Sequence, residues 1–253
     1  MDRFRAQLPR LGGVALLLAW VVFSWPELRA HTFERLAGYA LLAGVVGAAL
    51  GRYVPRLGAL AHAALTRPRE RWFVAAAAVV SAGITAWVHH VPMHDQVVSG
   101  DACMYVAQSR PLAHLQLGFP VSAPRLAYAA KFLMEGVDGR LHGIFVPGYP
   151  LFLAFFTAWD GYLAAALVTS VLLTVAHAVV ARAVLRDVFA ARLSVLLLLP
   201  TFARAIETAD LISHAFTGSL TAFALAAALA LRARPSLRLA AAIGLCAGWV
   251  FGA

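Results

Sequence analysis

Charge is scarce in this chain. Only 13% of its 253 residues are Asp, Glu, Lys or Arg, 62% are hydrophobic, and the mean hydropathy is +0.78. A soluble domain of this length has no interior for so much apolar surface, so the composition reads as a membrane protein. Cysteine is scarcer still. Cys103 and Cys246 fall in different kinds of segment, which argues against a disulfide framework or a thiolate metal site. Internal repeats and low-complexity tracts are also absent.

Uncharged apolar runs are what the sequence does contain. Several approach or exceed the roughly 18–20 residues that span a bilayer. They predict helices over 8–25, 36–53, 72–91, 162–184, 189–205, 211–231 and 237–253. Ala, Leu, Val and Gly dominate them, and the small residues permit close helix approach. The first run follows Met1-Asp2-Arg3-Phe4-Arg5 as a signal peptide would. It lacks a small-residue cleavage site and leads into Trp25-Pro26-Glu27, so it reads as a retained anchor. The last run stops at "CAGWVFGA" with no charged flank. The expectation is therefore one transmembrane domain over 1–253, the N-terminal part of a longer chain.

The formal charge of +9 would point to nucleic acid if the basic residues formed a patch. Instead they are mostly arginines at the ends of apolar runs. Arg3, Arg5 and Arg10 precede the first run. Arg52, Arg56, Arg67, Arg69 and Arg71 lie in the connection 52–71. Arg182, Arg186 and Arg192 lie in 182–192, and Arg232, Arg234 and Arg238 in 232–238. These four segments hold fourteen of the 21 basic residues. Placing them in the cytoplasm satisfies the positive-inside rule, with the lipid bilayer as partner and no nucleic acid. Nine of the twelve acidic residues then fall outside: Glu27, Glu34, Asp95, Asp101, Glu135, Asp138, Asp160, Glu207 and Asp210.

This topology decides the status of "PGYPLFLAFFTAW", 147–159. A full span here would put the Arg-rich 182–192 loop outside. The stretch between Pro147 and Asp160 is also short, reaching about 18 Å as a helix against a core of about 30 Å. It reads as a re-entrant or interfacial helix over 149–160, with a tilted short span as the competing reading. The external loop 92–148 is too long for a simple turn, and loops of that size are functional or structured. Within it, 101–115 and 125–136 carry apolar residues at helical spacing. Two juxtamembrane amphipathic helices are expected there, with "EGVDGR" as a turn.

In "SGDACMY", 99–105, an acid stands at the membrane boundary, where it is costly unless solvated or paired. As structure, Asp101 reads as the N-cap of a helix beginning at Ala102. As chemistry, it reads as a reactive carboxylate, and the two roles are compatible. "HHVPMHD" brings His89, His90, His94 and Asp95 close in sequence. Adjacent histidines diverge on a helix and Pro92 disturbs the His90–His94 spacing, so solvated interfacial histidines are favoured over a divalent-metal site. Asp95 stands as a backup base. "ETADLISHAF" returns Glu207, Asp210, Ser213 and His214 to the same side. They read either as acids in the first turn of a helix or as lining a shared cavity through His214. His177, alone among Ala and Val, reads as hydrogen-bonded to a neighbouring helix.

"SGDACMYVAQSRPLA", then "DGRLHGIFVPGYPLFLAFF", then "DLISHAF" together resemble the GT-C glycosyltransferases. These are polytopic enzymes of the dolichyl-phosphate-mannose–protein mannosyltransferase and bacterial lipid A aminoarabinose transferase group. Asp101 with Tyr105 four residues on matches one element of that family. The turn Pro147, Gly148, Tyr149, Pro150 matches a second. Ala102 stands where the family has a second acid, Val146 where it has a first proline, and two extra helices precede. The likeness covers about 72–253.

The resemblance implies an all-α GT-C-like bundle with a long first external loop, in a bacterial plasma membrane, with its site on the external side. It implies an inverting transfer of a sugar from a polyprenyl-phosphate donor to an acceptor hydroxyl or lipid, with Asp101 as base. Some enzymes of this broad class use a divalent metal; from the histidine geometry above, no cofactor is expected here. Lys131, Arg140 and His142 are the candidates for the donor phosphate, and Tyr105, Pro147, Gly148, Tyr149 and His214 for substrate binding. The rivals are a polytopic transporter or lipid flippase and a non-catalytic scaffold. A transporter would carry polar or broken positions at mid-membrane; the spans read as nearly free of charge.

Overall fold

The computed structural model describes residues 54–120, 133–157, 159 and 161–252, with backbone only for 54–57, 119–120 and 202. The expected helices 8–25 and 36–53, the loop 26–35, Lys131 and Asp160 lie outside the described residues. Nine helices and three short strands are described: α1 Val54–Thr66, α2 Glu70–His90, α3 Gly100–Ala113, β1 Phe119–Pro120, β2 Leu133–Glu135, β3 Arg140–Gly143, α4 Gly148–Thr157, α5 Tyr162–Val184, α6 Val188–Leu198, α7 Phe202–Ala209, α8 Ser213–Ala233 and α9 Leu237–Phe251. Three of them, α2, α5 and α8, are long and apolar enough to cross a membrane. The pair α6 and α7, bent by 62°, counts as a fourth if it forms one span. The chain is therefore a largely helical membrane protein.

Local chemistry sets these boundaries. Glu70 opens α2, and His89 and His90 close it, each favoured by the helix dipole at its end, with Pro92 just beyond. Asp187 caps α6 by accepting the Ala190 N–H at 2.7 Å. Arg232 sits in the last turn of α8, and Pro235 follows.

The helix α5 packs against α2, α4, α6, α7 and α8, and α9 lies outside against α8. Small residues line the seams: Ala165, Ala166 and Ala176 are wholly buried, as close helix contact requires. At one end, Arg192 of α6 donates from Nη2 to Glu70 Oε2 at 2.7 Å and from Nη1 to the Leu65 carbonyl, and it covers the Phe73 ring at 5.1 Å. That arginine end ties α6 to α1 and α2. At the opposite, acidic end, His89 Nδ1 donates to the Ala209 carbonyl at 3.1 Å, joining α2 to α7. His177 meets Ser194 Oγ of α6 at 3.3 Å, a neighbouring helix.

Three local expectations are corrected. The 52–71 connection is largely helical, because Pro55 suits a first helical turn, where its missing N–H is no loss. The single helix expected over 189–205 is broken: Pro200 supplies no N–H, and Thr201 is extended as the N-terminal cap of α7. The amphipathic helix expected over 125–136 gives way at its described end to a strand. There Leu133, Met134 and Glu135 pair antiparallel with Gly143, His142 and Leu141. Residues Gly136–Gly139 form the hairpin turn expected from "EGVDGR", with Gly139 at φ +72° where a side chain would be strained. That tight turn forces strand pairing over the helical pattern. β1 completes the sheet on the other edge of β3. Helix α4 has ten residues and joins α3 and α5 at the acidic end, compatible with a re-entrant or interfacial segment.

Candidate functional site at the acidic end

Helix α3 starts two residues earlier than the acid pattern implies. Ser99 is its N-cap, with Oγ accepting the Ala102 N–H at 3.2 Å. This corrects the reading of Asp101 as the cap. Asp101 lies in the first turn, where the dipole favours a carboxylate. It is half-buried and makes no hydrogen bond or ion pair among the described residues.

The start of α3 is held from across the fold. Asp210, 3% exposed at the end of α7, accepts the Val98 N–H at 2.6 Å with Oδ1 and the Ser99 N–H at 3.0 Å with Oδ2. One turn into α3, the Tyr105 hydroxyl lies 3.0 Å from Ser213 Oγ at the start of α8. "SGDACMY" and "DLISHAF", over a hundred residues apart, thus meet.

The 147–150 turn joins them. Tyr149 is fully buried, its ring edge-on to Tyr105 at 5.1 Å and tilted against Phe216 at 5.4 Å; Phe145 covers Tyr105 at 4.7 Å. Burial holds the Tyr149 hydroxyl well above the usual tyrosine range. From the outer helix, Trp249 Nε1 donates to the Gly148 carbonyl at 3.1 Å, and the Gly148 N–H meets the Gly252 carbonyl. Pro147 is exposed at the rim.

The sheet lies beside α3. Gln108 Nε2 donates to the Phe145 carbonyl at 3.0 Å, and a side chain at Gly143 would meet Gln108 Cδ at 2.2 Å, so α3 and β3 are in closest contact there. Arg140 is half-buried, with Nη1 3.5 Å from the Gly118 carbonyl. His142 is engaged elsewhere: Nε2 donates to Asp138 Oδ1 at 3.1 Å, and its ring is wedged between Gly118 and Gly136. That bond, with the Arg140 N–H, holds the Asp138 carboxyl below the ordinary carboxylate range. His214 is exposed and 4.0 Å from Glu207 Oε1. Tyr105, Tyr149 and the 147–148 turn are therefore brought together near Asp101. His142 and His214 have other partners, and Lys131 falls outside the described residues.

The chain matches no family model, no curated protein and no solved structure. Among the described residues, no group of three His, Cys, Asp or Glu is arranged to hold a metal ion. Asp95 pairs with His90 Nδ1, and His89 Nε2 is 3.9 Å away. His94 and Asp95 both have positive φ, turning the chain back over the end of α2.

Sequence reading missed two features. One is the capping role of Asp210. The other is Arg204 of α7, 5% exposed, which donates from Nη1 to Ser81 Oγ and from Nη2 to the Leu199 carbonyl at 3.1 Å. Around it, Thr174 Oγ1 donates to Ser81 Oγ at 2.8 Å and Thr85 Oγ1 to Ser170 Oγ at 2.9 Å. Arg204 Nε has no hydrogen-bond partner, and no carboxylate reaches the guanidinium among the described residues. The signal was available: Pro200-Thr201 is a helix-break pattern, and Arg204 follows it.

Proposed function

We propose that the chain is a membrane glycosyltransferase of the GT-C type that takes a sugar from a polyprenyl-phosphate carrier. One observation carries the reading. Among the acids at this end, Asp210 is bound to backbone, Asp95 to His90 and Asp138 to His142, whereas Asp101 is unpaired among the described residues. It stands one turn from the Tyr105–Tyr149 aromatic contact. A solvated, unpaired carboxylate beside an apolar wall can accept a proton from a hydroxyl positioned there.

In the proposed reaction the acceptor hydroxyl gives its proton to Asp101 as its oxygen attacks the anomeric carbon. The bond from that carbon to the phosphate oxygen breaks, and the polyprenyl phosphate leaves with the electron pair. A single displacement inverts the anomeric centre. The departing phosphate needs positive charge rather than a proton, and Arg140, with a guanidinium suited to two phosphate oxygens, is the best candidate. The site would face the external side of a bacterial plasma membrane, where no nucleotide sugar is available.

Replacing Asp101 by Asn tests this. Transfer, read as release of polyprenyl phosphate, should fall by about 10²–10⁴ with expression and donor binding intact; unchanged transfer rules the assignment out. A polytopic transporter or flippase is the second reading, and the broken α6–α7 with the buried Arg204 favours it, since unwound helices and buried polar groups mark transport sites. Lipid or anion flux across sealed vesicles, without sugar transfer, would support that reading instead.

A further inference from the structure

We infer that Asp210 is a positioning residue that holds the α3 first turn, and with it Asp101, in working geometry. The inference rests on the glycosyl-transfer reading for what α3 carries; the contact itself does not. A helix start leaves backbone N–H groups without intrahelical partners and carries partial positive charge. At α3 the Ser99 side chain serves the Ala102 N–H, and Asp210 takes the N–H groups of Val98 and Ser99 just upstream. A carboxylate that is only 3% exposed is costly to bury unless hydrogen-bonded in this way.

The arrangement has two consequences. First, the direction of α3 is set from α7 rather than by its own sequence, with the Tyr105–Ser213 contact fixing the next turn. Second, protein oxygens already take the Val98, Ser99 and Ala102 N–H groups and the Asp210 carboxylate stands at the start of α3, which disfavours a donor phosphate there and leaves the part to Arg140.

The experiment uses the full chain in membranes, with Asp210→Asn and Asp210→Glu beside the parent. The first arm needs no activity. Met104, 7% exposed on α3, is replaced by Cys in a Cys103→Ser, Cys246→Ser background. A water-soluble maleimide should label that position slowly in the parent and at least about tenfold faster in Asp210→Asn, as expected when a local opening becomes easier. Equal labelling overturns the inference, and so does a variant whose solubilised elution profile collapses altogether. The second arm measures release of polyprenyl phosphate from a polyprenyl-phosphate-linked hexose. Asp210→Asn should lower kcat about tenfold or more with KM for the donor little changed. Asp210→Glu should recover part of the rate. Faster labelling with an unmoved kcat would leave Asp210 a purely structural cap and overturn its positioning role. If the parent chain releases no polyprenyl phosphate, the glycosyltransferase reading fails, and the labelling arm still decides whether Asp210 holds α3.

Discussion

The guanidinium of Arg204 has an unusual set of neighbours. It is buried, its donors face hydroxyls and a carbonyl, and no carboxylate balances it among the described residues. Burying an unbalanced charge costs several kcal/mol, so a well-packed apolar replacement is often neutral or stabilising. Arg204→Met should therefore leave the melting temperature unchanged or raised. Ser81→Ala should lower stability by about 1–3 kcal/mol, because it strands a charged donor. A large loss of thermal stability in Arg204→Met would mean that an anion sits against the guanidinium. Asp101 presents the opposite case. Its neighbours among the described residues leave it unpaired, which is why the Asn replacement is expected to affect chemistry rather than folding.

At the scale of elements, the sheet and α3 are in contact through a glycine. A methyl group at Gly143 would fall within 2.2 Å of Gln108 Cδ, well inside any contact distance. Gly143→Ala should push β3 from α3 and lower the melting temperature, with about 1–3 kcal/mol lost to overpacking. Adding Gln108→Ala should recover part of that loss. Failure of the second change to help would place the strain elsewhere. The break between α6 and α7 belongs to this scale too. Its proline was visible in the sequence, but the apolar run continued across it, so the hydropathy pattern read as one helix. The strand at 133–135 was hidden for a different reason. Leu126, Ala129, Ala130, Leu133 and Met134 fit a helical stripe, and only pairing with β3 makes the end of it extended.

At the scale of the whole molecule, the bundle has two chemically distinct ends. Arg192 and Glu70 join helices at one, while Asp210, His89 and Tyr105 do so at the other. Cys103 is free and exposed on α3 at the acidic end, a natural reporter of sidedness. A membrane-impermeant maleimide should label it in intact cells, and a Cys introduced at Arg186 should react only after the membrane is opened. Labelling of Cys103 from the cytosol alone would remove the external site from the proposed reaction. The arginine positions made this ordering legible in the sequence, because charged residues avoid the apolar core and their bias sets helix direction.

The three spans α2, α5 and α8, the end-to-end polarity and the tight turn before Arg140 were determined by the sequence alone. Apolar length, arginine position and glycine conformation act locally, so each can be read without knowing what lies opposite. Only the tertiary structure decided that Asp210 holds the start of α3, that Tyr105 and Tyr149 share one aromatic contact, and that Arg204 is interior. Each depends on which helix faces which, over separations of up to 123 residues. In so uniformly apolar a chain many helix faces are equivalent by hydropathy. The few polar groups choose among them by finding partners, since an unpaired buried polar group is the larger penalty.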